Sequence, residues 1–295
     1  MKFENRLPAE GINSSSENPL KELAWLLGGG LAAVAILVFV VSLAAQWIAP
    51  RIPYRYEAKL AATLPSLVGA PSTESGRQVQ TELQALADRL AASMQMPEGM
   101  QVRVGYRDQD TVNAFATIGG QLVFFRGLLA RIENEDALAM VMAHELAHLK
   151  HRHVSAALGR GVAVGVILSV VSAELGRSAA SGVLGQAGMV TMLSFNRDQE
   201  LEADDGALRA IHAEYGHVGG ALDLFDVFTR LPQVQGEASI PAVEFLRTHP
   251  LTENRVAAIK RWAGENGAAQ GGVRRPLPPS IAALRADKQA APGKP

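Results

Sequence analysis

Hydrophobic and polar positions fall along this chain in three regimes. Residues 1–23 are polar, with Asn13, Ser14, Ser15 and Ser16 in succession, and predict a flexible tail. From 24 to 49 no charge interrupts a run rich in Leu, Val and Ala, with Trp25 and Trp47 near its ends. More than about 20 apolar residues suffice to cross a bilayer core, and tryptophans suit its two interfaces. A cleaved signal peptide is the alternative, although its apolar region usually runs only about 7–15 residues.

Beyond Pro50 and Pro53 the pattern becomes amphipathic. Residues 50–75 read as a juxtamembrane linker, with Tyr54–Gly69 a juxtamembrane helix or linker. From Gly76 to Met94 the residues Val79, Leu83, Leu86 and Leu90 form one apolar stripe of a helix. Gln101–Tyr106 alternates as a strand does. Asn113–Thr117 and Gln121–Phe125 flank Gly119 and Gly120, a hairpin signal, so a small antiparallel sheet is expected. Leu138, Val141, Met142, Leu146 and Leu149 recur at helical spacing, with Asn134 as cap and Glu135 and Asp136 in the first turn. Gly159–Leu175 is apolar and small, and predicts a buried or membrane-touching helix. Residues 194–211 form a further helix, and 241–263 a loop carrying Thr248, His249 and Pro250 followed by a helix. From Gly264 the chain is rich in Gly, Ala and Pro, which predicts a disordered tail over 264–295. The fold class is α+β, mainly helical, with a small antiparallel sheet and one N-terminal transmembrane helix.

The bulk numbers narrow the function. A net charge of -1 leaves no electrostatic footprint for nucleic acid, so no nucleic-acid partner is expected. With no cysteine, thiol catalysis and thiolate metal sites are excluded, and any metal rests on His and carboxylate. Basic residues are balanced about the apolar run, Lys2, Arg6 and Lys21 before it and Arg51, Arg55 and Lys59 after it, so charge does not set orientation.

The chemistry lies in the helix after Asn134. His144, Glu145 and His148 read H-E-x-x-H. Positions i and i+4 share a helix face, so both imidazoles reach one ion, and Glu145 borders the same cleft, placed to take a proton from a zinc-activated water. A catalytic zinc takes three protein ligands. Glu200 and Asp204 are four apart on the 194–211 helix, so Glu200 is the candidate third ligand and Asp204 the acceptor for the far ring N–H of a ligating histidine. His151, His153, His212 and His217 read as solvent-facing or helix-end residues, and Glu202 and Asp205 as a solvated face. Asn113, Ala114, Phe115 and Ala116 are a candidate edge that would hold an extended peptide as an added strand, or else a buried hairpin arm.

These residues resemble a known family. His144-Glu145-Leu146-Ala147-His148, Glu200-Leu201-Glu202-Ala203-Asp204, and His249-Pro250 with Arg255 are similar to the membrane-associated gluzincin zinc metallopeptidases, among them HtpX, BepA, the Oma-type protease and the CAAX prenyl protease. Asn113-Ala114-Phe115-Ala116, Gly119-Gly120 and Arg126-Gly127-Leu128-Leu129 resemble the BepA and Oma branch. The resemblance covers about 76–262 and implies a zincin-like metallopeptidase domain over 76–263. It implies one zinc per chain on His144, His148 and Glu200, with Asp204 behind them and His249 and Arg255 near the reacting carbonyl. Glu145 would then act as general base and His249 as oxyanion donor, supported by Arg255. The implied protein is a membrane-anchored endopeptidase acting on misfolded or envelope polypeptides. It would be single-pass through 24–49 in a bacterial inner membrane, with a periplasmic catalytic domain. The alternative is a membrane-anchored chaperone or assembly factor of the same fold with little proteolysis.

Overall fold

The computed structural model describes residues 18–48, 51–63, 68–161, 195–230, 244–250 and 253–290. Helix α1 spans Pro19–Ile48 and α2 Tyr54–Ala62, followed by α3 (Glu74–Ser93), β1 (Arg103–Arg107), β2 (Ala114–Thr117) and β3 (Gln121–Phe125). Then come α4 (Arg126–Leu129), α5 (Glu135–Lys150), a helical stretch over 153–161, α6 (Arg197–Tyr215), α7 (Gly219–Thr229), α8 (Glu244–Thr248), α9 (Glu253–Glu265) and α10 (Pro279–Ala290). The expected helix at 159–175 lies, beyond residue 161, outside the described residues.

Among the described residues α1 is the one helix long and apolar enough to cross a membrane. It starts at Pro19, earlier than the apolar run alone indicates, and Trp25, Leu31, Phe39 and Trp47 along it are exposed. The domain after it is built around α5. The expectation of one apolar stripe understates this helix, because every residue from Glu135 to Leu149 is buried. Helices α3, α6 and α7 and strand β2 all pack on it. On α3, the predicted stripe of Val79, Leu83, Leu86 and Leu90 faces the core.

The sheet corrects one expectation. Its order is β1-β3-β2, and while β2 and β3 form an antiparallel hairpin, β1 pairs with β3 in parallel. The loop after β1 carries the chain to the far edge, where β2 runs back, and the hairpin then returns the chain up the middle as β3. Alternation of side chains sets which face of a strand is buried and says nothing about its direction. The hairpin tip holds Gly119 and Gly120 at φ 79° and 74°. A Cβ on Gly120 would lie 2.5 Å from the carbonyl oxygen of Gln101, so the turn needs glycine for space as well as for φ.

Two terminal segments also depart from the sequence reading. Helix α2, expected within a linker, is docked: Glu57 accepts the Gly119 N–H at 2.9 Å, pairs with Arg152 at 2.7 Å and accepts from Ser155 Oγ. The supposed disordered tail is folded through residue 290. Leu277 and Ile281 are buried, the Arg275 N–H donates to Asp136 at 2.8 Å, and Arg274 pairs with Asp223. Pro279 opens α10, a position where a missing N–H costs nothing.

Candidate metal centre

Helix α5 is anchored at its start by Asn134, whose side chain accepts from the Ala137 N–H at 2.8 Å. One turn before its end it presents His144 and His148 side by side, their Nε2 atoms 3.1 Å apart. Helix α6, opened by a capping box between Asn196 and Gln199, lays Glu200 against the pair. Glu200 Oε1 is 3.4 Å from His148 Nε2, and Oε2 is 3.5 Å from His144 Nε2. Just past α8, His249 brings Nδ1 to 2.9 Å from Glu200 Oε1 and 3.2 Å from His144 Nε2. Its ring is held by stacking on Phe245, which in turn stacks on Phe228. One donor atom from each of these four buried residues lies within 4.8 Å of the others.

The outward atoms of the two α5 histidines determine what the inward ones offer. His144 Nδ1 faces Asp204 Oδ1 at 3.0 Å, and a carboxylate only accepts, so the proton sits on Nδ1. His148 Nδ1 lies 3.0 Å from His153 Nδ1. With Nδ1 protonated, both Nε2 atoms turn bare lone pairs toward each other and toward the Glu200 carboxylate, a repulsive arrangement that a cation relieves. Imidazole nitrogen and carboxylate oxygen are the donors zinc takes, so the residues fit that metal.

Electrostatics agree. Burial pushes the Glu200 carboxyl up, but the His144, His148 and His249 imidazoles hold it far below the usual carboxylate range. Burial likewise opposes charge on His144, yet Asp204 and Glu200 together raise it to about 9. The site thus demands positive charge, which a metal ion supplies in place of that proton. Burial pushes His148 well below its ordinary value, into the neutral form in which imidazole ligates. Glu145, fully buried, is shifted upward by burial against the pull of His249 and His144. A carboxyl raised in this way takes up a proton more readily, as a general base requires.

Glu145 also connects the cluster to the sheet. Its Oε2 accepts the Ala116 N–H at 2.8 Å, and its Oε1 faces His249 Nε2 at 3.4 Å. The Phe125 N–H donates to the Asn113 oxygen, and Phe115 and Thr117 stand opposite Val123 and Gln121. In an antiparallel pair hydrogen-bonded positions alternate, so Ala114 and Ala116 turn their backbone groups away from β3. Of the four expected peptide-holding residues, Ala116 bonds Glu145 at the edge of the cluster. Asn113 and Ala114 are buried, and Phe115 is half-buried beside Phe125.

Some placements differ from expectation. Arg255 is buried with its donors already engaged: Nε and Nη2 each 2.7 Å from Asp204, and Nη1 2.9 Å from Glu200 and 3.2 Å from the Pro250 oxygen. It clamps the two carboxylates instead of reaching toward a carbonyl. His249, expected only as an oxyanion donor, lies inside the donor cluster. Where solvent-facing or helix-end positions were expected, His153 and His217 are buried, His217 just past the end of α6; His217 lies 3.5 Å from Asp136, and Glu202 stands 3.0 Å from both His151 and His153. No spacing rule reveals His153, which follows the end of α5 and reaches His148 only because Arg152 adopts a left-handed φ of 62°.

The family model described as Peptidase family M48 matches residues 77–263, a segment that contains the whole cluster. The beta-barrel assembly-enhancing protease of Escherichia coli is 31% identical over 168 residues, covering 54% of this chain and 34% of that protein. The mitochondrial metalloendopeptidase OMA1 of Schizosaccharomyces pombe is 33% identical over 156 residues, covering 52% of this chain and 44% of that protein. The match thus spans less than half the length of either relative.

Proposed function

The chain belongs to Peptidase family M48, and from that premise we propose that it is a zinc metalloendopeptidase held at a membrane by α1. The observation that carries the reading is the Glu145 carboxylate, set between the four-donor cluster and an N–H of an edge strand. His144, His148 and Glu200 are the assigned zinc ligands, one ion per chain. Zinc there supplies Lewis-acid polarisation of a carbonyl and lowers the pKa of a water toward neutrality.

The protein's own groups do the rest. A peptide laid along the outward edge of β2 adds a strand to the sheet and takes over the Ala116 N–H that Glu145 otherwise holds, which brings its carbonyl beside Glu145. Glu145 takes a proton from the attacking water and passes it to the leaving amine. An N–H of His249 faces the developing oxyanion. Arg255 acts through Asp204 and Glu200, holding His144 and the third ligand in register. Substrates are polypeptides, of the misfolded or envelope class, and the site faces the periplasm from a bacterial inner membrane. The exposed apolar length of α1 and its flanking tryptophans support the anchoring; protease accessibility in spheroplasts tests the orientation.

One experiment separates this reading from a chaperone of the same fold. Glu145→Gln should keep one zinc per chain by elemental analysis and lose cleavage of unfolded casein by about 10²–10⁴-fold. Cleavage persisting in that variant would remove Glu145 as the base. Glu200→Ala should lower the zinc content itself.

A further inference from the structure

His144 has a visible support, since Asp204 Oδ1 stands 3.0 Å from its outward nitrogen and Arg255 grips Asp204 from behind. Among the described residues the outward nitrogen of His148 meets no carboxylate. It meets another imidazole, His153 Nδ1, at 3.0 Å. Two neutral imidazoles bond in this way only if one donates and the other accepts.

The direction is forced. His148 turns Nε2 inward to His144 and Glu200, so a ligating His148 carries its proton on Nδ1 and donates it to His153 Nδ1. His153 must then be protonated on Nε2, and that N–H donates to Glu202 Oε2 at 3.0 Å. The other oxygen of Glu202 takes His151 Nδ1, also at 3.0 Å. His153 is buried and Glu202 half exposed, so the chain of hydrogen bonds runs from the cluster outward and ends on a hydrated carboxylate.

The backbone is shaped for this contact. Helix α5 stops at Lys150, and Arg152 turns left-handed at φ 62°, a conformation that non-glycine residues seldom adopt. Its guanidinium is held in place by the buried pair with Glu57. The turn brings His153 back onto His148, with Phe195 stacked 3.9 Å from the His148 ring.

We propose that His153 is a positioning residue for the metal ligand His148: by accepting Nδ1–H it fixes the tautomer that leaves Nε2 free, while Glu202 fixes the tautomer of His153. The proposal rests on the zinc reading above and deepens it. Outer partners of ligating histidines typically influence metal affinity by about 10–100-fold.

The test compares two replacements of His153 in the full chain. Asn places an amide oxygen where Nδ1 stands, whereas Leu fills similar space without an acceptor. Zinc affinity is measured by chelator competition, with metal-free thermal unfolding as the check on folding. His153→Asn should hold zinc close to the wild-type affinity, and His153→Leu should lose about 10–100-fold. Equal affinities for Leu and wild type, or equal losses for Asn and Leu, would overturn the proposal and leave His153 a packing residue. If the Leu variant does not fold, Glu202→Ala reads the same relay from its hydrated end. It should weaken zinc binding, and unchanged affinity would overturn the proposal. A wild-type protein that takes up no zinc sinks the metallopeptidase reading as well, so the two failures are distinguishable.

Discussion

Arg255 shows how much a single side chain settles at this site. It is buried between Asp204 and Glu200 and contacts both, so its planar fork neutralises two carboxylates that would otherwise repel each other. Lysine keeps the charge and cannot straddle both groups. Arg255→Lys should destabilise the metal-free protein by about 1–3 kcal/mol. Arg255→Ala, which strands two buried anions, should cost about 3–5 kcal/mol, both read by urea denaturation. A lysine variant as stable as wild type would show that a point charge is enough. At this scale the sequence revealed whatever local helical geometry encodes. His144 with His148, and Glu200 with Asp204, are pairs at one-turn spacing, and the structure brings all four together with Glu145. The clamp of Arg255, the cluster position of His249 and the contact of His153 depend on tertiary approach, for which spacing carries no signal.

Among elements, α5 bears the greatest load, and its N-terminus is secured by more than its cap. Asn134 also donates to Asp223, which is gripped in turn by Arg274 from the C-terminal segment. Burial pushes the Asp223 carboxyl up, but Arg274 and Asn134 outweigh it and hold the group below its usual range. A folded pKa below the unfolded value of about 3.9 gives stability that is present above that pH and is lost as pH falls through the folded value. The stability difference between wild type and Asp223→Asn, measured on metal-free protein, should therefore be larger at pH 7 than at pH 3. A difference independent of pH would place the contribution in packing. The elements themselves were largely legible: the α3 stripe, the glycine hairpin and the capped α5 all stand where the pattern put them. Strand direction was not, because β1 joins the sheet across a loop and its alternation is the same in either orientation.

For the whole molecule, the domain extends past the region that composition marks as ordered. Residues 268–290 cross α3 and the start of α5, burying Leu277 and Ile281, pairing Arg275 N–H with Asp136, and bonding Ser280 to Glu82. Losing one buried Leu or Ile side chain typically costs about 2–5 kcal/mol, a large share of a domain's stability. A chain ending at 267 should thus unfold without a sharp transition or aggregate, whereas one ending at 290 should melt like the full chain by circular dichroism. Gly-, Ala- and Pro-rich sequence predicts disorder here because composition does not register a few anchoring side chains. The opposite end carries a matching consequence through Glu57, which holds both the hairpin tip and the buried Arg152. Severing the domain from α1 at residue 76 would strip that carboxylate away, leaving Arg152 with no counter-ion among the described residues, next to His153. A water-soluble fragment that keeps the four-donor cluster in place is therefore one cut ahead of Tyr54, with α2 retained as part of the domain.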